Sequence, residues 1–204
     1  IRLSGLVKEI INDISDVAGL KDWTYVEDLQ SKIQVVQNLD ERITEYLTNL
    51  FSAGVLTEEQ ATQTAGIMYV LSDVNRLALL CGDILAVFEE EGNKSSKKSV
   101  LSKDASRDLE KSLKLIGDMY DASLKVMETG DKDNAAKIIK KRDKILELDL
   151  KLRKDHMKRV STGKCKASLT SSFNKILHSI DRMGNSCVNI ADAVMESVDF
   201  GYFN

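Results

Sequence analysis

The chain reads as an all-α protein, built as two tandem antiparallel three-helix bundles. Three observations predict this. No proline occurs in 204 residues, so nothing forces an end or a kink inside a long helix. Apolar residues recur at three- and four-residue spacing through six stretches, the period of an amphipathic helix. Arg76, Cys81 and Ile84 in the third stretch recur as Arg182, Cys187 and Ile190 in the sixth, each 106 positions on, which argues for duplication of a three-helix unit. Aromatic residues make up 5% of the chain, too few for an all-β sandwich.

The first predicted helix covers 1–18, with Leu3, Leu6, Val7, Ile10, Ile14 and Val17 on one face and Gly19 as its stop. The second covers 24–52, turning Val26, Leu29, Ile33, Val36, Ile43, Leu47 and Leu50 inward, and Gly54 breaks it. Thr57-Glu58-Glu59-Gln60 reads as a capping box: the Thr57 hydroxyl accepts from a backbone N–H while Gln60 reaches back to the backbone of Thr57. It opens a third helix over 57–91, lined by Ile67, Val70, Leu71, Val74, Leu77, Cys81, Ile84, Leu85 and Phe88. The polar run 92–99 reads as a linker, so the expected division is a first bundle at 1–92, a linker at 93–101 and a second bundle at 102–204. The fourth helix is predicted at 102–128 with Gly130 after it, the fifth at 131–161 with Gly163 after it, and the sixth at 168–199, followed by a short apolar tail. Short connections make successive helices antiparallel neighbours, which gives up-down-up bundles.

Composition narrows the class. Hydrophobic residues at 43% and charged residues at 30% describe a globular chain rather than a disordered one. No run of about 18 apolar residues is present to span a bilayer, and no signal peptide is visible. The sequence begins at Ile1, so the expectation is a piece of a longer protein. Cys81, Cys165 and Cys187 are odd in number and widely spaced; they suggest no disulfide framework or zinc spacing, and fit a reducing compartment. Cys81 and Cys187 fall on apolar stripes and are expected as buried thiols. The net charge of −3 conceals a split: residues 94–166 hold 21 Lys+Arg against 12 Asp+Glu, a net of +9, and the rest holds 8 against 20, a net of −12. Solvated helix faces with paired neighbours explain this, and so does a basic side facing an anionic surface such as the cytoplasmic leaflet. Nucleic acid is not expected as a partner, because no aromatic residues are interleaved with the lysines.

No glycine-rich phosphate loop, nucleophile elbow or paired histidine suggests an enzyme, and no catalytic residue is assigned. His156, near the end of the fifth helix, has no nucleophile to serve, which favours a structural or capping role. The row Asp181, Asn185, Asn189 stacks at four-residue spacing beside the apolar stripe of the sixth helix. Asp143 and Glu147 form a similar pair on the fifth. Should those helices pack side by side, Asp143, Glu147, Asp181 and Asn185 could converge as oxygen donors for a hard divalent ion or iron. The alternative is that such pairs bind only water and lysine.

Asp181-Arg182-Met183-Gly184-Asn185-Ser186-Cys187-Val188-Asn189-Ile190-Ala191 resembles the Glu-Arg-Ile-Gly-Asp-His-x-x-Asn-Ile-Ala motif of PhoU domains, and the segment 73–84 resembles it more loosely. Ile43-Thr44-Glu45-Tyr46-Leu47, with Leu56-Thr57-Glu58-Glu59 after it, resembles the PhoU-like region of sodium/phosphate cotransporters. So does His156-Met157-Lys158-Arg159-Val160 with Gly163 and Cys165. The resemblance covers roughly residues 36–195. It implies a non-enzymatic regulatory module of two three-helix bundles that controls phosphate uptake. The module would be the tail of a sodium-dependent phosphate cotransporter on the cytoplasmic face of the cell membrane, or a free-standing phosphate signalling adaptor. The implied partner is the transmembrane transport domain of the same chain, or else a phosphate transporter or sensor.

The family's acidic pairs also bear on metal binding. In the first half their positions hold Val36, Asp40, Asn75 and Leu79, so no metal is expected there; in the second they hold Asp143, Glu147, Asp181 and Asn185, a weakened site. Leu79 and Leu80 stand where the family has Asp-His. They widen an apolar face that needs a partner: the other bundle, a second subunit in a homodimer, or the transporter. Arg76 and Arg182 are expected in inter-helix salt bridges more than in phosphate binding.

Overall fold

The computed structural model describes residues 2–20, 26–94 and 101–196. Helices α1 (Arg2–Leu20), α2 (Val26–Ser52) and α3 (Glu58–Lys94) form the first bundle. Helices α4 (Lys103–Thr129), α5 (Lys132–Ile139), α6 (Lys141–Ser161) and α7 (Thr170–Met195) form the second. The fold is all-α with no strand among the described residues.

The two bundles do not keep separate cores. α3 packs most extensively against α7, and α1 against α4, so these four helices make one shared layer, with α2 on one outer side and α5 and α6 on the other. The buried side chains form a single cluster that runs from Leu3 and Val7 through Leu77 and Leu109 to Val194. Burying an apolar side chain of this size contributes about 1.5–3 kcal/mol, so the inter-bundle seam is a main source of stability. Polar ties cross it. The Tyr120 hydroxyl on α4 donates to the Ser4 carbonyl on α1 at 3.2 Å, and the Ser15 hydroxyl on α1 donates to the Glu110 carbonyl on α4 at 3.3 Å; within the second bundle, Ser123 on α4 donates to the Cys187 carbonyl on α7 at 2.8 Å.

Local chemistry sets the ends. The predicted capping box is present: Thr57 N–H donates to Gln60 Oε1 at 3.0 Å and Gln60 N–H to Thr57 Oγ1 at 3.2 Å. Ser102 caps α4 and Asp131 caps α5 through their side-chain oxygens. Gly54 (φ 65°) and Gly163 (φ 71°) turn the chain between the outer and inner helix of each bundle, in the left-handed region that suits glycine.

Two expectations change. The predicted fifth helix is interrupted at Lys140, although neither proline nor glycine stands there. α5 packs on α7 and also on α4, whereas α6 lies chiefly on α7; tertiary packing overrides a sequence with no breaker. The third helix does not stop at residue 91 but continues to Lys94. Of the expected linker, residues 95–100 lie outside the described residues, as do 197–204 with the apolar tail.

Candidate functional site

The α6–α7 seam carries most of the residues singled out above. α7 approaches α6 at Gly184, where a Cβ would collide with Ile145 of α6. Ile145 fills the space that the missing Cβ leaves, so a larger residue here requires the Ile145 side chain to shift. This decides where the carboxylates go. Residues two before and two after Ile145 lie about 160° around the helix from it. Asp143 and Glu147 consequently face solvent, while Asp181 and Asn185 sit half-buried beside the seam. The four expected donors are not gathered. Among the described residues no three of His, Cys, Asp and Glu group closely enough to hold a metal ion.

The carboxylate that α6 does turn toward the seam is Asp149, which with Asp181 lines a small cleft among Ser112, Ile116, Ile145 and Ile180. Asp149 is held by Arg153, which donates to its two oxygens at 2.6 and 3.0 Å and to Asn174 Oδ1 at 3.0 Å. Sequence reasoning missed it, since i, i+4 spacing does not say which pair faces inward. The last member of the polar row, Asn189, donates to both oxygens of Asp73 on α3 at 3.3 and 3.2 Å, across the inter-bundle seam. Asp73 is only 4% exposed, so this bond is what satisfies it.

In the first bundle, Asn75 on α3 donates to Asp40 on α2 at 2.7 Å. Burial pushes the Asp40 carboxyl above its ordinary value, partly offset by that hydrogen bond. Leu80 is 2% exposed and lies in the shared core, so its partner is within the chain, whereas Leu79, one residue and about 100° around the helix, is 39% exposed. Arg76 and Arg182 are exposed and make no ion pair among the described residues, so the expected inter-helix bridges do not form. Cys81 and Cys187 are fully buried, and burial pushes both thiols well up, which keeps them protonated and unreactive.

The end of α6 holds a second cluster. His156 is 1% exposed and stacks on Phe173 of α7 with ring centroids 4.3 Å apart and 13° between planes. Its Nε2 lies 3.2 Å from Thr170 Oγ1. Burial, with the Arg159 charge beside it, holds the imidazole below its ordinary value, so the ring is neutral at pH 7. One turn on, Arg159 donates from Nη1 to Asp108 of α4 at 2.8 Å, and its guanidinium carbon stands 5.8 Å from the Phe173 ring centroid. His156 and Arg159 thus lock α6 to α7 and to α4.

Residues 109–194 match the family model of the PhoU domain. The whole fold matches the crystal structure of PhoU from Pseudomonas aeruginosa with a TM-score of 0.82 at 14% identity, covering 95% of this chain and 90% of that one. Residues 109–194 form a PhoU-like domain. No curated protein matches its sequence. The PhoU-like fold accounts for the duplicated bundles, and the matched residues span the Gly184 contact, the polar row and the His156–Arg159 cluster. No described helix is long and apolar enough to cross a membrane.

Proposed function

We infer that this PhoU-like chain is a non-enzymatic regulatory domain controlling phosphate uptake, the cytoplasmic part of a sodium-dependent phosphate cotransporter. The observation that carries the reading is the PhoU-domain match over 109–194 on a two-bundle fold shared with a PhoU protein. The cotransporter context rests on the resemblance of the segments at 43–59 and 156–165. In the mechanism, the bundles dock against the transport domain and contact its two conformations differently, which shifts their populations. Leu79 on α3 and the exposed Leu146, Leu150 and Met157 on α6 offer apolar contacts for such docking. A free-standing adaptor is the second reading, equally consistent with the PhoU-domain match and the shared fold.

The test is made in the native cells. An antibody against the chain should detect, in the membrane fraction, a band much heavier than 22.7 kDa, and excising the domain should alter phosphate uptake. A soluble band near that mass selects the adaptor. Uptake that is unchanged by excision sinks both.

A further inference from the structure

A groove opens where the first two turns of α4 face the last two turns of α6. Its cations are Arg107, Lys111, Lys158, Arg159 and Lys164; its carboxylates are Asp104, Asp108 and Asp155. The balance is therefore positive, five against three. Arg107 stands 3.9 Å from Asp104, and Arg159 is bonded to Asp108. Lys111, Lys158 and Lys164 are exposed and have no ion-pair partner among the described residues.

The floor is more informative than the rim. Arg159 is 9% exposed, yet its Nε and Nη2 are buried with no acceptor. A guanidinium carries five N–H donors in a planar fork, and here only Nη1 is used. Buried donors are normally satisfied, and leaving one without a partner is destabilising. Asp108 supplies one point of contact where a forked cation takes two or three. An oxyanion with several acceptor oxygens is the kind of partner such a fork takes.

We propose that this groove binds a small phosphoryl-bearing anion, with Arg159 as its fixed fork and Lys111, Lys158 and Lys164 closing over it. The size fits. Seven residues along α4, from Asp104 to Lys111, rise about 10 Å, the span of one or two phosphoryl groups rather than of a polynucleotide. No aromatic residue lines the groove to stack a base. Asp108 is the internal competitor: it occupies one edge of the fork in the free protein and yields it to the incoming anion. The site stands independently of docking to a transporter, so either can fail while the other holds.

Titration calorimetry on the whole chain tests this with orthophosphate and pyrophosphate as probes, and with vesicles containing or lacking phosphatidic acid. Saturable binding of pyrophosphate or orthophosphate is expected. It should weaken at least tenfold in Arg159→Met and in the triple variant Lys111→Gln, Lys158→Gln, Lys164→Gln, whose exposed positions leave folding intact. It should be unchanged in Lys8→Gln, at a remote surface. Asp108→Asn should tighten binding several-fold by freeing the fork, a gain that a purely structural Arg159–Asp108 pair would not give. Binding confined to the phosphatidic acid vesicles, with the same losses, identifies the phosphoryl group as a lipid headgroup. No saturable binding in any arm, or binding indifferent to the triple variant and to Asp108→Asn, overturns the proposal.

Discussion

The same turn is built twice, and its two copies have diverged. Between α2 and α3 the chain turns at Gly54, and between α6 and α7 at Gly163, both left-handed. Around the first turn, Phe51 and Val55 are exposed, and the neighbouring crevice is lined by Leu50, Leu56, Gln60 and Gln63, with no cation. Around the second, His156 and Phe173 stack, Arg159 bridges to α4, and a basic groove opens. The inner helices did not diverge in this way. Cys81 and Cys187, and Ile84 and Ile190, are all fully buried at matched positions. Packing at interior density penalises change on the shared layer, while a turn at the bundle end is free to acquire charge.

The comparison breaks most sharply at Phe173, whose counterpart 106 positions earlier is the half-buried Ile67. Phe173→Ala removes a fully buried ring together with the faces on which His156 and Arg159 lie, and should destabilise by about 3–5 kcal/mol. Ile67→Ala should lose about 1–2 kcal/mol, because part of that side chain is already in water. Denaturant midpoints of the two variants measure the gap; equal losses would mean that the second turn is no more built than the first. Next in size is the pair Gly184 and Ala78. Gly184→Leu drives a side chain into Ile145 and Ile116 and should destabilise by about 3 kcal/mol, whereas Ala78→Gly should cost about 1 kcal/mol in helix propensity.

Where packing follows one periodic stripe, the sequence was legible. The stripe of α7, the duplication and the capping box at Thr57 all stand where the residues place them. The outer helix of the second bundle was harder. Leu146, Leu148, Leu150 and Leu152 alternate, so a period of 3.6 does not by itself separate the buried Leu152 from the exposed Leu146 and Leu150. For the same reason the inward carboxylate, Asp149, could not be told from Asp143 and Glu147. Ile145 opposite Gly184 was the deciding contact, and it depends on the partner helix. Arg159 was visible as part of a resemblance, but its missing acceptors appear only once α4 and α6 are placed together.

A pH series sharpens the comparison further. The buried His156 titrates below its ordinary value of 6.5, so in the folded state it binds its proton less readily than in the unfolded chain. Stability should be level above that value and fall as the pH drops through it toward the folded pKa. Thermal melts between pH 7.5 and 5.5 should show the fall in the native chain, and a flatter profile in His156→Leu. At the first turn no histidine stands to titrate.

The smallest effect belongs to Asp40. Its carboxyl is raised, chiefly by burial, so the folded chain holds a proton there more readily than the unfolded one, and its charge is a penalty that grows as the pH rises through the carboxylate range. At pH 7 the penalty is fully present. Asn75 meanwhile keeps its own Oδ1 buried and without a partner, while its Nδ2 donates to Asp40. Asp40→Asn removes the charge and adds an N–H that can donate to that oxygen, making a reciprocal amide pair. The gain should stay under about 1 kcal/mol, since Asp40 is half-buried and its charge is partly screened by water. The counterpart change, Glu147→Gln, should leave stability unmoved, because Glu147 faces solvent. Melting curves at pH 7 read both, and a loss in Asp40→Asn would mean that the carboxylate, not the amide, is what this position of the first bundle requires.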